Sequence, residues 1–127
     1  MTKKKKKILL IEDDTFLSHM YELKFVAEGF DVSVAHDGLE GLEMVKKNMP
    51  DIILLDIILP KMDGWDFLKK LRADLAASTP PVILLTNLGQ SNDVKKGMSM
   101  GVVDYLIKAH FTPSEVVQRI KQVFKQQ

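Results

Sequence analysis

Polar side chains follow four apolar runs of the sequence: an acidic triplet at residues 12–14, then Asp56, Thr86 and Lys108. A polar side chain at the end of an apolar run is a poor core filler and therefore a candidate for chemistry. Acids gathered at one place raise one another's pKa values unless a cation lies among them. Carboxylate oxygens without His or Cys ligands favour Mg²⁺ or Ca²⁺ over zinc. A Mg²⁺ ion that keeps several waters and gains oxygens from a bound phosphate fits this set best.

The elements that must position these residues are short apolar runs that alternate with amphipathic stretches. The runs cover residues 7–12, 31–35, 51–56, 82–86 and 102–107. Such alternation is typical of a parallel sheet flanked by helices, and the runs at 51–56 and 82–86 are apolar on both faces, as central strands must be. Five βα units with right-handed crossovers predict a doubly wound α/β sandwich with its ligand site outside the carboxyl ends of the strands.

The amphipathic stretches predict five helices. The expected buried positions are, in chain order, Phe16, Met20, Leu23 and Ala27 before Gly29; Leu39, Leu42, Val45 and Met49 after Asp37; Leu68, Leu71 and Leu75 before Pro80; a weakly periodic stretch from Asn92 to Met100; and Val116, Ile120, Val123 and Phe124. The last helix should begin at Thr112, with Pro113 at the first helical position and Glu115 completing a capping box. Asp14 and Asp63 are expected to cap the helices that follow them.

Length and composition limit the classes of protein that the chain can represent. A chain of 127 residues is the usual size of one domain, which we expect at residues 7–127 with no output domain. The absence of cysteine excludes disulfides, thiolate metal sites and cysteine nucleophiles. No apolar stretch is long enough to cross a bilayer, and the run at residues 8–11 is too short for a signal peptide, so the expected location is the cytoplasm.

The net charge of +1 is the sum of a basic run at Lys3–Lys7 and a mildly acidic remainder of the chain. A run of lysines without interleaved aromatic residues or arginines is usually a solvated tail, so residues 1–6 are predicted to be a disordered basic tail. Contact of this tail with nucleic acid or a membrane surface is the alternative.

Over essentially the whole chain, the motifs resemble those of the receiver domain of two-component response regulators. The matched elements, in order, are Leu10-Ile11-Glu12-Asp13-Asp14, Leu55-Asp56, Leu59-Pro60-Lys61-Met62-Asp63-Gly64, Leu85-Thr86 and Asp104-Tyr105-Leu106-Ile107-Lys108. The resemblance implies the flavodoxin-like (βα)5 form of the doubly wound fold, a five-stranded parallel sheet with strand order 2-1-3-4-5.

The resemblance also implies a role for each acid. Asp56 would be the phosphoacceptor, whose carboxylate attacks phosphorus to form an acyl phosphate. Asp13 and Asp56 would bind Mg²⁺ directly, Glu12 would bind it through a water, and Ile58 would contribute its backbone carbonyl; Mn²⁺ is an expected substitute.

The remaining residues of the pattern link the reaction to a signal. Lys108 and the Thr86 hydroxyl would contact the phosphoryl oxygens. Movement of Thr86 would then let Tyr105 turn inward and change the surface formed by the fourth helix, fifth strand and fifth helix. The alternative for Tyr105 is an edge-strand residue with a hydrated hydroxyl.

The expected phosphoryl donor is a histidine kinase or a histidine phosphotransfer protein, and the expected output is a protein target or a phosphorylation-dependent homodimer. No membrane partner is expected, nor nucleic acid for this chain alone. An enzyme that turns over a small phosphate ester is disfavoured, because Ile58 occupies the place of a second acid two residues after Asp56. Two alternatives stay open: an unphosphorylated interaction domain of the same fold, and the amino-terminal fragment of a DNA-binding response regulator.

Two positions depart from the usual pattern of the family. Ala109 replaces a cis proline after Lys108, and a trans bond is expected because a cis bond to a non-proline residue costs about 2.5–4 kcal/mol. Asn87 replaces a small residue after Thr86, where it would narrow access to the phosphoryl group or hydrogen-bond to it. Ile58 and Leu88 are apolar where polar groups would help to position water, which predicts slow hydrolysis of the acyl phosphate.

Overall fold

The computed structural model describes residues 4–127, in which a parallel sheet lies between two layers of helices. The strands are β1 (Lys7–Ile11), β2 (Asp31–Ala35), β3 (Ile52–Leu55), β4 (Val82–Thr86) and β5 (Asp104–Ile107). The helices are α1 (Thr15–Ala27), α2 (Gly38–Lys47), α3 (Gly64–Leu75), α4 (Ser91–Ser99) and α5 (Pro113–Lys125), with short 3-10 turns at Ala76–Ser78 and Lys108–His110. The strand bounds agree with the expected runs to within two residues. No helix in the described part of the chain is long and apolar enough to cross a membrane.

The strand order is β2-β1-β3-β4-β5 with every neighbouring pair parallel, which confirms the predicted fold. Ile11 pairs with Leu55 across β1 and β3, and Thr86 pairs with Ile107 across β4 and β5. Because parallel strands end at the same edge, these registers bring the residues after each strand together there.

The core lies on both faces of the central strands. Every residue of β3 and β4 is buried, as the apolar runs predicted. Phe67 of α3 is fully buried on one face and Phe25 of α1 on the other. Truncation of such a side chain to alanine typically costs about 3–5 kcal/mol, so the sheet gives the site a stiff base.

Helix starts follow the capping prediction. The side chains of Asp14 and Asp63 each accept a hydrogen bond from the backbone N–H three residues on, at 2.9 Å. Thr112 and Glu115 form the expected capping box before α5. Caps of this kind stabilise by about 1 kcal/mol each.

The buried face predicted for α1 is wrong. The side chains of Phe16 and Leu23 are 77% and 59% exposed, Ala27 is exposed and Met20 is half-buried. The residues that α1 buries are Ser18, Tyr21 and Phe25. The helix carries apolar residues around most of its circumference, so helical spacing fits two faces, and the sheet takes the face that buries the two stacked aromatic rings.

The other predicted faces hold with smaller changes. In α2, Leu42 and Val45 are buried, whereas Leu39 near the start of the helix and Met49 beyond its end are 46% and 43% exposed. The predicted residues of α3 and α5 are buried or half-buried. The peptide bond between Lys108 and Ala109 is trans, since residues 4–127 contain no cis bond.

The predicted tail at residues 1–6 lies partly outside the described residues. Within them, Lys4 and Lys5 are exposed and have no regular secondary structure. Lys6 is bound at two points: its carbonyl accepts a hydrogen bond from the Asp31 N–H at 2.9 Å, and its Nζ lies 5.3 Å from the centre of the Phe124 ring. The end of the basic run therefore packs against the domain.

Two cationic contacts hold α4 against α3. The guanidinium of Arg72 donates to the carbonyls of Met100 and Gly101, both at 2.8 Å, at the end of α4. Lys96 Nζ lies 4.4 Å from the centre of the Trp65 ring. Trp65 thus packs at the start of α3 and also contacts α4.

Candidate functional site

The ends of β1 and β3 bring three acids together. Glu12 and Asp56 directly follow the paired residues Ile11 and Leu55, and carboxylate oxygens of Glu12, Asp13 and Asp56 lie within 4.8 Å of one another. Glu12 is 1% exposed and Asp56 is 6% exposed, whereas Asp13 is exposed. The acidic set expected at this sheet edge is therefore present, with two members buried and one facing solvent.

Asp56 is held at both carboxylate oxygens. Its Oδ2 accepts a hydrogen bond from Lys108 Nζ at 2.6 Å, and its Oδ1 accepts one from the Ile58 N–H at 3.3 Å. The backbone closes tightly around it, because a Cβ on Gly64 would lie 2.5 Å from the Asp56 carbonyl oxygen. The loop from β3 to α3 therefore needs glycine at that position to fold back over Asp56.

Lys108 joins the two buried acids. Its Nζ contacts Glu12 Oε1 as well as Asp56, and its side chain is 10% exposed. Burial opposes the charged form, but the hydrogen bonds and charges of Asp56 and Glu12 outweigh it and raise the pKa of Lys108 above its ordinary value. The lysine is therefore a fixed cation beside Asp56 at neutral pH.

Glu12 is a buried acid whose two carboxylate oxygens meet different partners. Burial raises the pKa of Glu12 above its ordinary value, and its contact with Lys108 offsets this only in part. Oε2 accepts a hydrogen bond from the Asp14 N–H at 3.1 Å, and Oε1 contacts the Lys108 ammonium. A second cation beside the three carboxylates would lower the remaining cost of keeping this buried acid charged.

The donor chemistry of this cluster fits Mg²⁺. Its side-chain ligands are carboxylates, and the described cluster includes no His or Cys. Hard oxygen donors of this kind suit Mg²⁺ rather than zinc. Ile58 lies beside the cluster with its side chain 60% exposed and its N–H directed at Asp56; ligation by its carbonyl stays a prediction.

Thr86 and Tyr105 lie on the other side of the site. Thr86 is fully buried at the end of β4, and its hydroxyl accepts a 3.4 Å hydrogen bond from the Leu88 N–H. Tyr105 is half-buried and donates its hydroxyl proton to the Leu88 carbonyl. Burial, with smaller contributions from Asp93 and Asp56, raises the pKa of Tyr105 to about 12.

The tyrosine ring fits against α4 because Gly97 has no side chain. A Cβ at Gly97 would lie 2.9 Å from Tyr105 Cδ2 and 2.8 Å from Leu84 Cδ1. The ring therefore connects β5, the loop after β4 and α4 within one packed unit.

Several contacts of the site are not apparent from the sequence. Asn87, singled out as a departure, directs its Oδ1 to the Ala109 N–H at 3.2 Å. His36 Nδ1 lies 3.0 Å from the Glu12 carbonyl oxygen. The first contact joins the two positions that depart from the family pattern, whereas nothing in the sequence indicated the second, because each contact joins residues that are distant in the sequence.

Comparisons with known proteins agree with this geometry. A family model described as "Response regulator receiver domain" matches residues 8–121. The chain is 42% identical over 119 residues to the uncharacterized transcriptional regulatory protein YclJ of Bacillus subtilis, covering 94% of this chain and 51% of that protein. It is 38% identical over 117 residues to the DNA-binding response regulator MtrA of Mycobacterium tuberculosis, covering 92% and 50%. The chain thus spans about half the length of the curated relatives it matches.

Solved structures give the same result. The receiver domain of the Francisella response regulator 1452 superposes with a TM-score of 0.88 at 33% identity, covering 95% of this chain and 98% of that one. A putative response regulator from Chloroflexus aurantiacus superposes with a TM-score of 0.85 at 34% identity, covering 94% and 98%.

Proposed function

Because this chain belongs to the response regulator receiver domain family, we propose that Asp56 accepts a phosphoryl group and that this modification switches the surface of the domain. The observation that carries the proposal is the buried contact of Lys108 Nζ with Asp56 Oδ2 at 2.6 Å, beside the acids of β1. A buried carboxylate held between a fixed cation and a backbone N–H is positioned for one defined reaction.

The reaction is an in-line phosphoryl transfer. A carboxylate oxygen of Asp56 forms a bond to phosphorus while the P–N bond of a phosphohistidine breaks, and the leaving imidazole takes a proton from solvent. The donor is a histidine kinase or a histidine phosphotransfer protein. Lys108 stays protonated and offsets charge on the phosphoryl oxygens, and the Thr86 hydroxyl turns from its contact with Leu88 to donate to the same oxygens.

Mg²⁺ is the cofactor of this proposal, with Mn²⁺ as a substitute. Asp13, Asp56 and the Ile58 carbonyl would hold it directly, and Glu12 would hold it through a water. When bound, the ion supplies positive charge that offsets both the acids and the transferring phosphoryl group. The proximity of the three carboxylates, two of them buried, supports this assignment.

The signal would leave the site through Thr86 and Tyr105. Movement of Thr86 changes the loop that carries Leu88, to which the Tyr105 hydroxyl is bonded. The Tyr105 ring packs against Gly97, so its displacement changes the surface formed by α4, β5 and α5. That surface would bind a downstream protein or a second phosphorylated copy.

We further propose that residues 7–127 act as the receiver unit with residues 1–6 as a basic tail, that the unit works in the cytoplasm, and that it turns over no small substrate. Its role is then that of a phosphorylated signalling domain. The family match and the strand-end placement of Asp56, Thr86 and Lys108 support this assignment.

A second candidate function is control of transcription through a DNA-binding unit on the same or another chain. The names of the curated relatives favour it, since they include DNA-binding response regulators about twice the length of this chain. Immunoblotting of the producing cells would test it. A species much larger than 14.4 kDa would support a DNA-binding unit on the same chain, whereas a species of that size would exclude one.

Intact mass after incubation with acetyl phosphate, with and without Mg²⁺, tests the leading proposal. One added phosphoryl group is expected in the wild type with Mg²⁺ and none in Asp56→Asn. Asp66→Asn is the matched control, since Asp66 is an exposed acid on α3. Absence of any adduct in the wild type would favour an unphosphorylated interaction domain, and an adduct that persists in Asp56→Asn would move the phosphoacceptor elsewhere.

A further inference from the structure

We propose that Asn87 is a positioning residue for phosphoryl transfer, because its side chain ties the loop that follows Thr86 to the turn that follows Lys108. This inference rests on the proposed function. It adds a residue to the acid cluster (Glu12, Asp13 and Asp56) and to the two residues proposed to carry the signal, Thr86 and Tyr105.

The contact joins the residues that directly follow two functional side chains. Asn87 follows Thr86, Ala109 follows Lys108, and Asn87 Oδ1 accepts a hydrogen bond from the Ala109 N–H at 3.2 Å. The orientation of the carboxamide is set chemically, because a backbone N–H donates only to its oxygen. The last β4–β5 pair in the sheet is Thr86 with Ile107. The Asn87 side chain therefore continues the connection between these strands beyond the sheet edge.

A second bond anchors the same loop at the next residue. The Leu88 carbonyl accepts the Tyr105 hydroxyl proton, so consecutive loop residues bind the two ends of the β5 segment. These two bonds couple the backbone after Thr86 to the backbone after Lys108. Because Lys108 Nζ must meet Asp56 at hydrogen-bonding distance, a small shift of its backbone lowers the fraction of molecules ready to react.

A steric role for Asn87 gives the opposite result and is therefore distinguishable. Asn87 is exposed next to the site, and a side chain that only narrowed access would slow phosphorylation. Its removal would then speed the reaction. A positioning role makes the same removal slow it.

The test compares Asn87→Ala with the wild type in two measurements. With acetyl phosphate and saturating Mg²⁺, Asn87→Ala should be phosphorylated about threefold to tenfold more slowly, the factor expected for one net hydrogen bond. The Mg²⁺ concentration for half-maximal rate should not change, because Asn87 is not one of the residues proposed to hold the ion. Asn92→Ala, the same change on the exposed side of α4, should match the wild type.

Hydrogen exchange of the Ala109 amide, followed by NMR in the unphosphorylated protein, reports the contact independently of the reaction. Exchange should be about threefold to tenfold faster in Asn87→Ala. It should stay slow in Asn87→Asp, which keeps an acceptor oxygen. In Ala109→Pro, which has no N–H, the further change Asn87→Ala should have no effect on the phosphorylation rate.

Phosphorylation of Asn87→Ala at the wild-type rate or faster would overturn the positioning role, as would unchanged exchange at Ala109. If Ala109→Pro does not fold, the exchange comparison and Asn87→Asp still decide the matter. A wild-type chain that takes no phosphoryl group would overturn the proposed function and the positioning role together, whereas a failure confined to the Asn87 variants would overturn only the latter.

Discussion

The two sides of the site are held in different ways. Glu12 and Asp56 follow strands inside the sheet and are almost completely buried. Thr86 and Lys108 precede loops whose residues Asn87 and Ala109 are exposed. The acid side of the site, Glu12 and Asp56, therefore derives its rigidity from the core. The loop side, Thr86 and Lys108 with the residues that follow them, depends on a few hydrogen bonds, which are the contacts that open first.

The helices repeat this contrast. The helices α1, α2, α3 and α5 each begin with a side-chain cap, whereas Gln90 before α4 makes no side-chain cap hydrogen bond within the described residues. The helix next to the loop side is thus the one with the weakest start. The proposed function would use both properties, since phosphoryl transfer requires a fixed carboxylate and a signal requires a segment that can move.

The largest expected effect is the difference in stability loss between an alanine substitution at a glycine of the acid side and one at a glycine of the loop side. Gly64→Ala places a Cβ 2.5 Å from the Asp56 carbonyl oxygen, where backbone must move, and should lower the free energy of unfolding by about 3 kcal/mol. Gly89→Ala meets only the flexible end of Ile107 at 2.8 Å and should cost less than about 1 kcal/mol. Urea unfolding of both variants measures the difference. Equal losses would contradict a stiff acid side and a compliant loop side.

Magnesium should stabilise the acid side in particular. A ligand that binds only the folded state, present at about ten times its dissociation constant, raises the free energy of unfolding by about 1.4 kcal/mol. For a domain of this size the melting temperature should rise by about 3–6 °C. Asp13→Asn, which keeps the shape of an exposed ligand, should abolish most of the shift. An unchanged melting temperature in the wild type at millimolar Mg²⁺ would count against the assigned ligands.

The rate at which the acyl phosphate hydrolyses should respond differently to substitution of Ile58 and of Leu88, the two apolar residues that flank the site. We expect slow decay in the wild type, with a half-life well beyond seconds. Ile58 is 60% exposed, so Ile58→Asn can hold a water without disturbing the core and should speed decay about fivefold. Leu88 packs against the core, so Leu88→Asn should mainly lower stability. Loss of radiolabelled phosphate measures both, and a wild-type half-life of only seconds would contradict the expectation.

The smallest expected effect is the pH dependence of the stability that Tyr105 contributes on the loop side. The pKa of Tyr105 is about 12 in the folded protein, against about 10 for an ordinary tyrosine. Its contribution to stability is complete below pH 10 and is lost as the pH rises through 12, because the unfolded chain releases the proton first. Urea midpoints at pH 9 and pH 11 should therefore fall more in the wild type than in Tyr105→Phe. Parallel decreases would show that the phenol is not held as described.

The fold and the acid set were accessible from the sequence for a physical reason. In a parallel sheet, strand order and strand ends determine which residues meet, so Glu12, Asp56, Thr86 and Lys108 could be grouped without coordinates. The buried face of α1 could not be predicted, because apolar residues fit two faces at helical spacing and tertiary packing decided between them. The bond from Asn87 to Ala109 and the contacts of Arg72 with the end of α4 also depend on tertiary placement.

The contact between Trp65 and Lys96 gives this protein a built-in optical probe. Trp65 is the only tryptophan of the chain, and the ammonium of Lys96 lies 4.4 Å from its ring centre. Emission excited selectively in the indole band therefore reports on a single ring that lies against a charged side chain of α4. Any displacement of that helix alters the local field at the fluorophore, so the proposed signalling step can be timed in stopped flow without attaching a dye.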